Sequence, residues 1–210
     1  LDDLSNVSDD QARRRLDPLL ESHADRLRFL HASILDPQGL ADAMRGANIV
    51  YHLAAVSSVE ASLADPTRCF DVNTVGTQRV VEHARRQKVS AFVYASTSAV
   101  YGTSPPPQSE ETPPAPESPY ASTKLTGEHT VAAWARAYDM QAACLRLFNV
   151  YGPGQDTGDY AAVISAFRDR LATSDPPVIY GDGGQTRDFI FIEDAVDAMM
   201  RAATTERPLR

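Results

Sequence analysis

Three short apolar runs, IVYHLAA at 49–55, AFVYA at 91–95 and the stretch 142–148, are separated by longer segments with helical periodicity. A strand-length run with no alternation of polar residues needs cover on both faces, which fits a parallel sheet better than a sheet with one wet side. The amphipathic stretches between the runs can supply that cover. The order predicts an α/β fold, a doubly wound and mostly parallel sheet. A further strand is expected over 28–32, with helices over 38–45, 66–87 and 119–138.

The start of the last helix is well marked, because Ser118 can cap free N–H groups and Pro119 suits the first helical turn. Before it lies a proline-rich loop, 104–119, too long for a simple connection and of the kind that carries function or stays disordered. The pattern changes after Gly152. A helix over 160–172, a strand over 177–180, a glycine turn (GDGG), a strand over 188–192 and a helix over 193–203 suggest part of a smaller lobe. The expected division is 1–152 for the main domain and 153–210 for the partial lobe.

A net charge of −8 argues against a nucleic-acid partner, since phosphate binding needs clustered Lys and Arg. The short basic run Arg13–Arg15 reads as a solvated helix face. No apolar run is long enough to span a bilayer and no signal peptide opens the chain, so neither membrane insertion nor export is expected and a cytoplasmic location is the default. Cys69 and Cys144 show no C-x-x-C spacing and read as buried thiols. His23, His31, His52, His83 and His129 have no ligand spacing, so no metal site is expected.

The chemistry-bearing signal is Y-A-S-T-K, Tyr120 to Lys124, on the first turns of the capped helix. Four residues apart, the two side chains share one face. An ammonium beside a phenol favours the phenolate, so Tyr120 could act as a base near neutral pH. Taken alone, the same spacing is also met in solvated pairs that do no chemistry. The second segment, YASTSAVYG from Tyr94 to Gly102, ends a buried strand in hydroxyl residues at the carboxyl edge of the sheet, where ligands of open α/β sheets bind. Thr97 is placed there to share a hydrogen bond with a substrate oxygen and Tyr120. A mere turn at Ser96–Ser98 is the alternative.

With these segments in order along nearly its whole length, the chain resembles the extended short-chain dehydrogenase/reductase family, in particular its sugar-nucleotide epimerases of the UDP-glucose 4-epimerase type. The resemblance implies a Rossmann-like domain, NAD as cofactor and a nucleotide-diphosphate sugar as substrate. It assigns catalysis to Tyr120, Lys124 and Thr97. On the cofactor side it places Asp2 at the adenosine ribose, favouring NAD over NADP, with Ser33 and Ile34 by the adenine. Leu53, Ala54 and Ala55 would follow the dinucleotide, with Asn73, Ala95, Tyr120, Lys124 and Phe148 near its reactive end. On the substrate side it places Thr97, Ser98, Asn149, Val163, Tyr180 and Arg187, the last as a forked cation for the diphosphate. Relatives dimerise through helices matching 72–87 and 119–138, which implies a homodimer, with Gly76 and Gly127 allowing close helix approach.

Several positions depart from the pattern. The glycine-rich turn that opens the family is not in this sequence, so the chain reads as a fragment that begins where the second strand ends and lacks most of the carboxyl-terminal lobe, with weak or no NAD binding expected of these residues alone. Ser33 stands where many relatives have Asp, and Gly154 where Arg is frequent. Dehydratases of the family carry an Asp-Glu pair after the threonine; here Ser98 and Ala99 follow Thr97. The resemblance therefore implies inversion at C4 through a 4-keto sugar, with a 4-keto-sugar reductase as the nearest rival. A reading of another class is a non-catalytic remnant that binds a nucleotide sugar without turnover.

Overall fold

The computed structural model describes residues 1–5, 9–155, 163–179 and 181–205. In chain order the elements are helix α1 (Asp9–Ser22), α2 (Pro37–Met44), strand β1 (Ile49–His52), α3 (Val59–Ala64), α4 (Pro66–Phe70), a π-helical turn (Asp71–Gly76), α5 (Thr77–Gln87), β2 (Ala91–Thr97), a 3₁₀ turn (Ser98–Tyr101), α6 (Pro119–Tyr138), β3 (Ala142–Leu147), β4 (Asn149–Tyr151), α7 (Val163–Ala172), β5 (Phe189–Phe191) and α8 (Ile192–Thr204). Strands β1, β2 and β3 form a parallel sheet in that order, and β4 pairs in parallel with β5. The expected α/β fold with parallel strands is the one observed.

Both faces of the main sheet are covered, which is why its strands read as continuous apolar runs. On one side Phe92 and Tyr94 pack against Val80, Val81 and Ala84 of α5 and Val131 and Ala135 of α6. The α5 contacts recur at helical spacing and so form one stripe. On the other side Ala91 and Val93 meet Met199 and Ala203 of α8, so the last helix returns to the sheet. Glu82 of α5 ties the first layer together: its carboxylate accepts from Trp134 Nε1 of α6 at 3.0 Å and pairs with Arg85 and Arg86.

Polar caps set the helix starts. Asp36 accepts from Gln38 N ahead of α2, Asp65 from Arg68 N ahead of α4, and Ser118 from Ala121 N ahead of α6, each followed by proline at the first position. Each side-chain oxygen satisfies an N–H that has no partner inside the helix.

Several elements differ from expectation. The strand expected over 28–32 is a single bridge, Asp2 to His31, held by Asp2 N to Leu30 O at 3.2 Å and Ala32 N to Asp2 O at 3.1 Å. The helix expected over 66–87 is helical throughout, but passes through a π turn at Asp71–Gly76 whose extra residue per turn rotates Asn73 into the interior. The run 142–148 divides at Phe148, which lies between β3 and β4. Residues 177–179 form no strand, and Tyr180 lies outside the described residues. The basic run Arg13–Arg15 lies exposed on α1, as expected of a helix face. Gly76 and Gly127 face Ile34 and Tyr94 of the same chain, not an outer surface, so the close approach they allow is internal. Among the described residues no helix is long and apolar enough to cross a membrane, and no cluster of metal-binding side chains occurs.

His52, at the end of β1, is 3% exposed and its Nε2 lies 2.9 Å from Thr77 Oγ1. Burial, with the nearby Lys124 charge adding to it, lowers its pKa to about 3. The folded chain thus refuses a proton that the unfolded chain takes up below about pH 6.5, and stability falls as the pH drops through that window. Urea titrations at successively lower pH should show a His52-dependent loss approaching ~1.4 kcal/mol per pH unit. His52→Gln should flatten that slope, and equal slopes in both proteins would contradict the assignment.

Candidate active site

Helix α6 presents Tyr120, Lys124 and Glu128 at four-residue intervals on the side that meets the sheet. Thr97 ends β2, its hydroxyl accepts from Ala99 N at 3.2 Å, and it lies close enough to the Tyr120 phenol to favour the phenolate. Thr97 and Lys124 are buried and Tyr120 is half-buried, so all three catalytic candidates stand at the carboxyl edge of the sheet rather than in open solvent.

The Glu128 carboxylate is bound from two strands. It accepts from Ser96 Oγ of β2 and takes a fork of bonds from Arg146 of β3, Nε at 3.0 Å and Nη2 at 2.8 Å. The Arg146 guanidinium also lies 4.9 Å from the Tyr101 ring centre, and its pKa is driven further up by the Glu128 bonds. Tyr101 in turn packs against Phe148, with ring centres 6.5 Å apart. Neither Glu128 nor Arg146 stood out in the sequence, although the Tyr120, Lys124, Glu128 spacing was there to be seen.

Electrostatics at the pair differ from the simplest expectation. Burial pushes the Tyr120 phenol above its ordinary value, and the neighbouring Thr97 hydroxyl offsets only part of this. Burial lowers Lys124 to about 8. Cys144, Glu128 and Cys69 oppose that shift, and burial pushes the Cys144 thiol up to about 12, so it is neutral where Lys124 titrates. The lowering of the phenol expected from the i, i+4 ammonium is not found: desolvation sets the direction, and Thr97 rather than Lys124 opposes it. The Lys124 Nζ rests instead over the Tyr94 ring, 4.4 Å from its centre.

A cleft of about 530 Å³ lies between the Asp2–His31 bridge and β1, lined among others by Asp2, Ile34, Leu53, Ala54 and Ala55. The structure therefore brings together five of the residues expected on the cofactor side. Ile34 is buried against Gly76, while Leu53 is 58% exposed. Ser33, Asn73, Ala95, Tyr120, Lys124 and Phe148 do not line the cleft. Ser33 Oγ accepts from Leu35 N in a turn, and Ala95 packs on the α8 side of the sheet. Asn73 is 1% exposed and fully used: its Oδ1 accepts from Val56 N at 2.8 Å, and its Nδ2 donates to Val56 O at 3.0 Å and Thr123 Oγ1 at 3.1 Å. It thereby ties the loop after β1 to α6 and has little left for a ligand.

On the substrate side a second pocket of about 180 Å³ gathers Asn149, Val163 and Arg187 with Tyr151, Gln155 and Phe189. Asn149 is fixed by two bonds to Asp188 O, from its backbone N at 3.2 Å and Nδ2 at 2.8 Å. Arg187 is exposed, bonds the Thr186 carbonyl, and pairs with neither Asp188 nor Glu193. Ser98 opens the 3₁₀ turn directly after Thr97.

Residues 3–209 match the NAD dependent epimerase/dehydratase family. The UDP-glucose 4-epimerase of Mycolicibacterium smegmatis is 39% identical over 184 residues, which cover 86% of this chain and 58% of that protein. Among solved structures, the UDP-N-acetylglucosamine 4-epimerase of Methanobrevibacter ruminantium M1, in complex with UDP-N-acetylmuramic acid, superposes with a TM-score of 0.89 at 31% identity, over 98% of this chain and 64% of that one. The UDP-glucuronic acid 4-epimerase of Bacillus cereus, in complex with UDP-glucuronic acid and NAD, gives 0.85 at 31% identity, over 95% and 62%. The chain thus spans somewhat under two thirds of these relatives.

Removing the Asn73 amide should orphan both polar groups of Val56. Asn73→Ala is expected to cost about 2 kcal/mol in denaturant titration and to speed amide exchange at Val56. Unchanged protection of that amide would show that the loop is held by other means.

Proposed function

The chain belongs to the NAD dependent epimerase/dehydratase family, and we propose from this that the protein inverts C4 of a nucleotide-diphosphate hexose, of the UDP-glucose or UDP-N-acetylglucosamine type, through a 4-keto intermediate. The observation that carries the reading is the Tyr120 phenol beside the Thr97 hydroxyl, one helical turn from a buried Lys124, with no carboxylate following the threonine. Elimination of water would need a further acid to protonate a leaving hydroxyl. Ser98 and Ala99 occupy the turn where it would stand, and Glu128 is committed to Arg146. This favours epimerisation over dehydration.

The residues of the larger cleft fit NAD. Cofactor sites run to roughly 300–1,000 Å³, and this one has a carboxylate, Asp2, on one wall and the small Ala54 and Ala55 on the other. Bound there, NAD would supply the acceptor and donor for the electron pair at C4. In this reading residues 1–152 form the dinucleotide-binding body and 153–210 belong to the substrate side.

The chain's own part is proton handling and placement. Tyr120 takes the proton of the sugar 4-hydroxyl, Thr97 holds the same oxygen, and the Lys124 ammonium offsets the cost of a buried phenolate. Arg187 clamps the diphosphate with its planar fork and Asn149 orients the nucleotide sugar. Inversion then needs only that the keto sugar turn and present its other face. Two copies pair through the helices over 72–87 and 119–138. The partly exposed Phe70 beside the π turn supports an interface there, and light scattering at micromolar concentration should report a dimer; a monomer would refute that part alone.

Two measurements test the reaction. Incubated with NAD and a panel of nucleotide-diphosphate hexoses followed by NMR, the protein should interconvert C4 epimers without net oxidation. Tyr120→Phe should lower kcat by about 10²- to 10⁴-fold, and undiminished turnover in that variant would refute the base. Because Lys124 is depressed to about 8, its ammonium is lost as the pH rises through that value. The kcat/KM profile should therefore fall on its alkaline side near pH 8, and Lys124→Arg, permanently charged, should lose that limb. A limb that persists in the arginine variant would assign it to another group.

A further inference from the structure

The chain has only two lysines, Lys88 and Lys124. Lys88 sits exposed just past the end of α5, whereas Lys124 is 3% exposed. A buried ammonium normally lies on a carboxylate, yet Glu128, one turn along α6, is already bonded to Arg146 and Ser96. Lys124 Nζ lies instead over the face of Tyr94, 4.4 Å from the ring centre, where the negative face of the aromatic quadrupole attracts a cation.

The ring reaches that place because of a second residue. Tyr94 is fully buried, and its hydroxyl end lies against Gly127, three residues after Lys124 on α6. A Cβ at 127 would overlap the Tyr94 Oη, and only glycine lets the ring slide beneath the helix at this point. Gly127 and Tyr94 thus build one feature, a slot in the helix filled by an aromatic face.

We propose that the Tyr94 ring, admitted under α6 by Gly127, is the seat that positions the Lys124 ammonium. Tyr94 is accordingly a positioning residue that acts through Lys124, and its importance for turnover rests on the catalytic role proposed for that lysine above. The groups facing the ammonium are His52 from β1, Tyr94 from β2, Cys144 from β3, Cys69 from α4, and Glu128 from α6. His52 and Cys144 stay neutral near pH 8. The ring, with Glu128 and Cys69, is therefore what opposes the loss of charge that burial imposes.

The test reads Lys124 without substrate. Protein labelled at the lysine ε-carbon gives two NMR resonances, with exposed Lys88 as internal reference. In the parent the Lys124 signal should titrate near pH 8. Tyr94→Phe, which keeps the ring, should leave the midpoint in place, while Tyr94→Leu should lower it by about one pH unit. Gly127→Ala should lower it as well by displacing the ring. Should either variant fail to fold, a ring-fluorinated phenylalanine at position 94 keeps the shape and weakens the quadrupole, and it should lower the midpoint relative to Tyr94→Phe. Equal midpoints for the fluorinated and plain rings would overturn the proposal, since packing alone predicts no difference. A normal seat titration with full turnover in Tyr120→Phe would sink the reaction and leave the seat standing; the reverse pattern would do the opposite.

Discussion

One carboxylate, Glu128, received by Ser96 from one strand and Arg146 from the next, fixes how α6 is rotated on the sheet. A helix held only by apolar contacts can settle by small rotations at little cost, because dispersion is not directional. A forked, charge-assisted set of bonds has one geometry. Burying the pair costs solvation that its attraction need not repay, so its return is sought in register. Register is what the candidate site needs: Ser96 precedes Thr97, Glu128 lies two turns beyond Tyr120, and locking the first pair aligns the second.

Around that lock the fold delivers its other groups by the ends of parallel strands. β2 ends at Thr97, β3 ends just before Phe148 and Asn149, and β1 ends at His52 before the loop of Leu53, Ala54 and Ala55. Ligands of such sheets collect at this edge because the loops there are free to vary while the strands stay packed. Asn73 shows how the loops are kept in place, bonding both polar groups of Val56 and reaching Thr123 on α6. The π turn that aims Asn73 inward is an irregularity with a structural use.

The alternation of strand and helix was legible in the sequence because both faces of the sheet are covered, leaving uninterrupted apolar runs. The start of α6 was legible for a local reason, the Ser118 cap and Pro119. Local rules gave no warning of the π turn, since Asn73 looks like any helical asparagine until its partners 17 and 50 residues away are known. The strand over 28–32 shrank to one bridge for a related reason: among the described residues only Asp2 pairs with it, and a strand persists only with partners along its length. In the candidate site, Tyr120 and Lys124 could be named from spacing and Thr97 from the end of its strand; the structure sets Thr97 beside Tyr120, with Lys124 one turn along α6. Tyr94, Glu128 and Arg146 were silent, because an aromatic in a buried strand and an ion pair 18 residues apart carry no motif. Electrostatic direction was the least legible feature: proximity of Lys124 to Tyr120 suggested a lowered phenol, and burial, which is a property of the whole fold, reversed it.

The central claim is that Tyr120 and Thr97 meet one sugar oxygen, the one at C4. A crystal structure of the protein with a non-reacting nucleotide-diphosphate hexose tests it most directly. The account predicts the C4 oxygen within hydrogen-bond reach, about 2.6–3.2 Å, of both the Tyr120 phenol and the Thr97 hydroxyl, with the diphosphate at Arg187. A hexose that places a different carbon there, or that binds with Tyr120 out of contact, would contradict it.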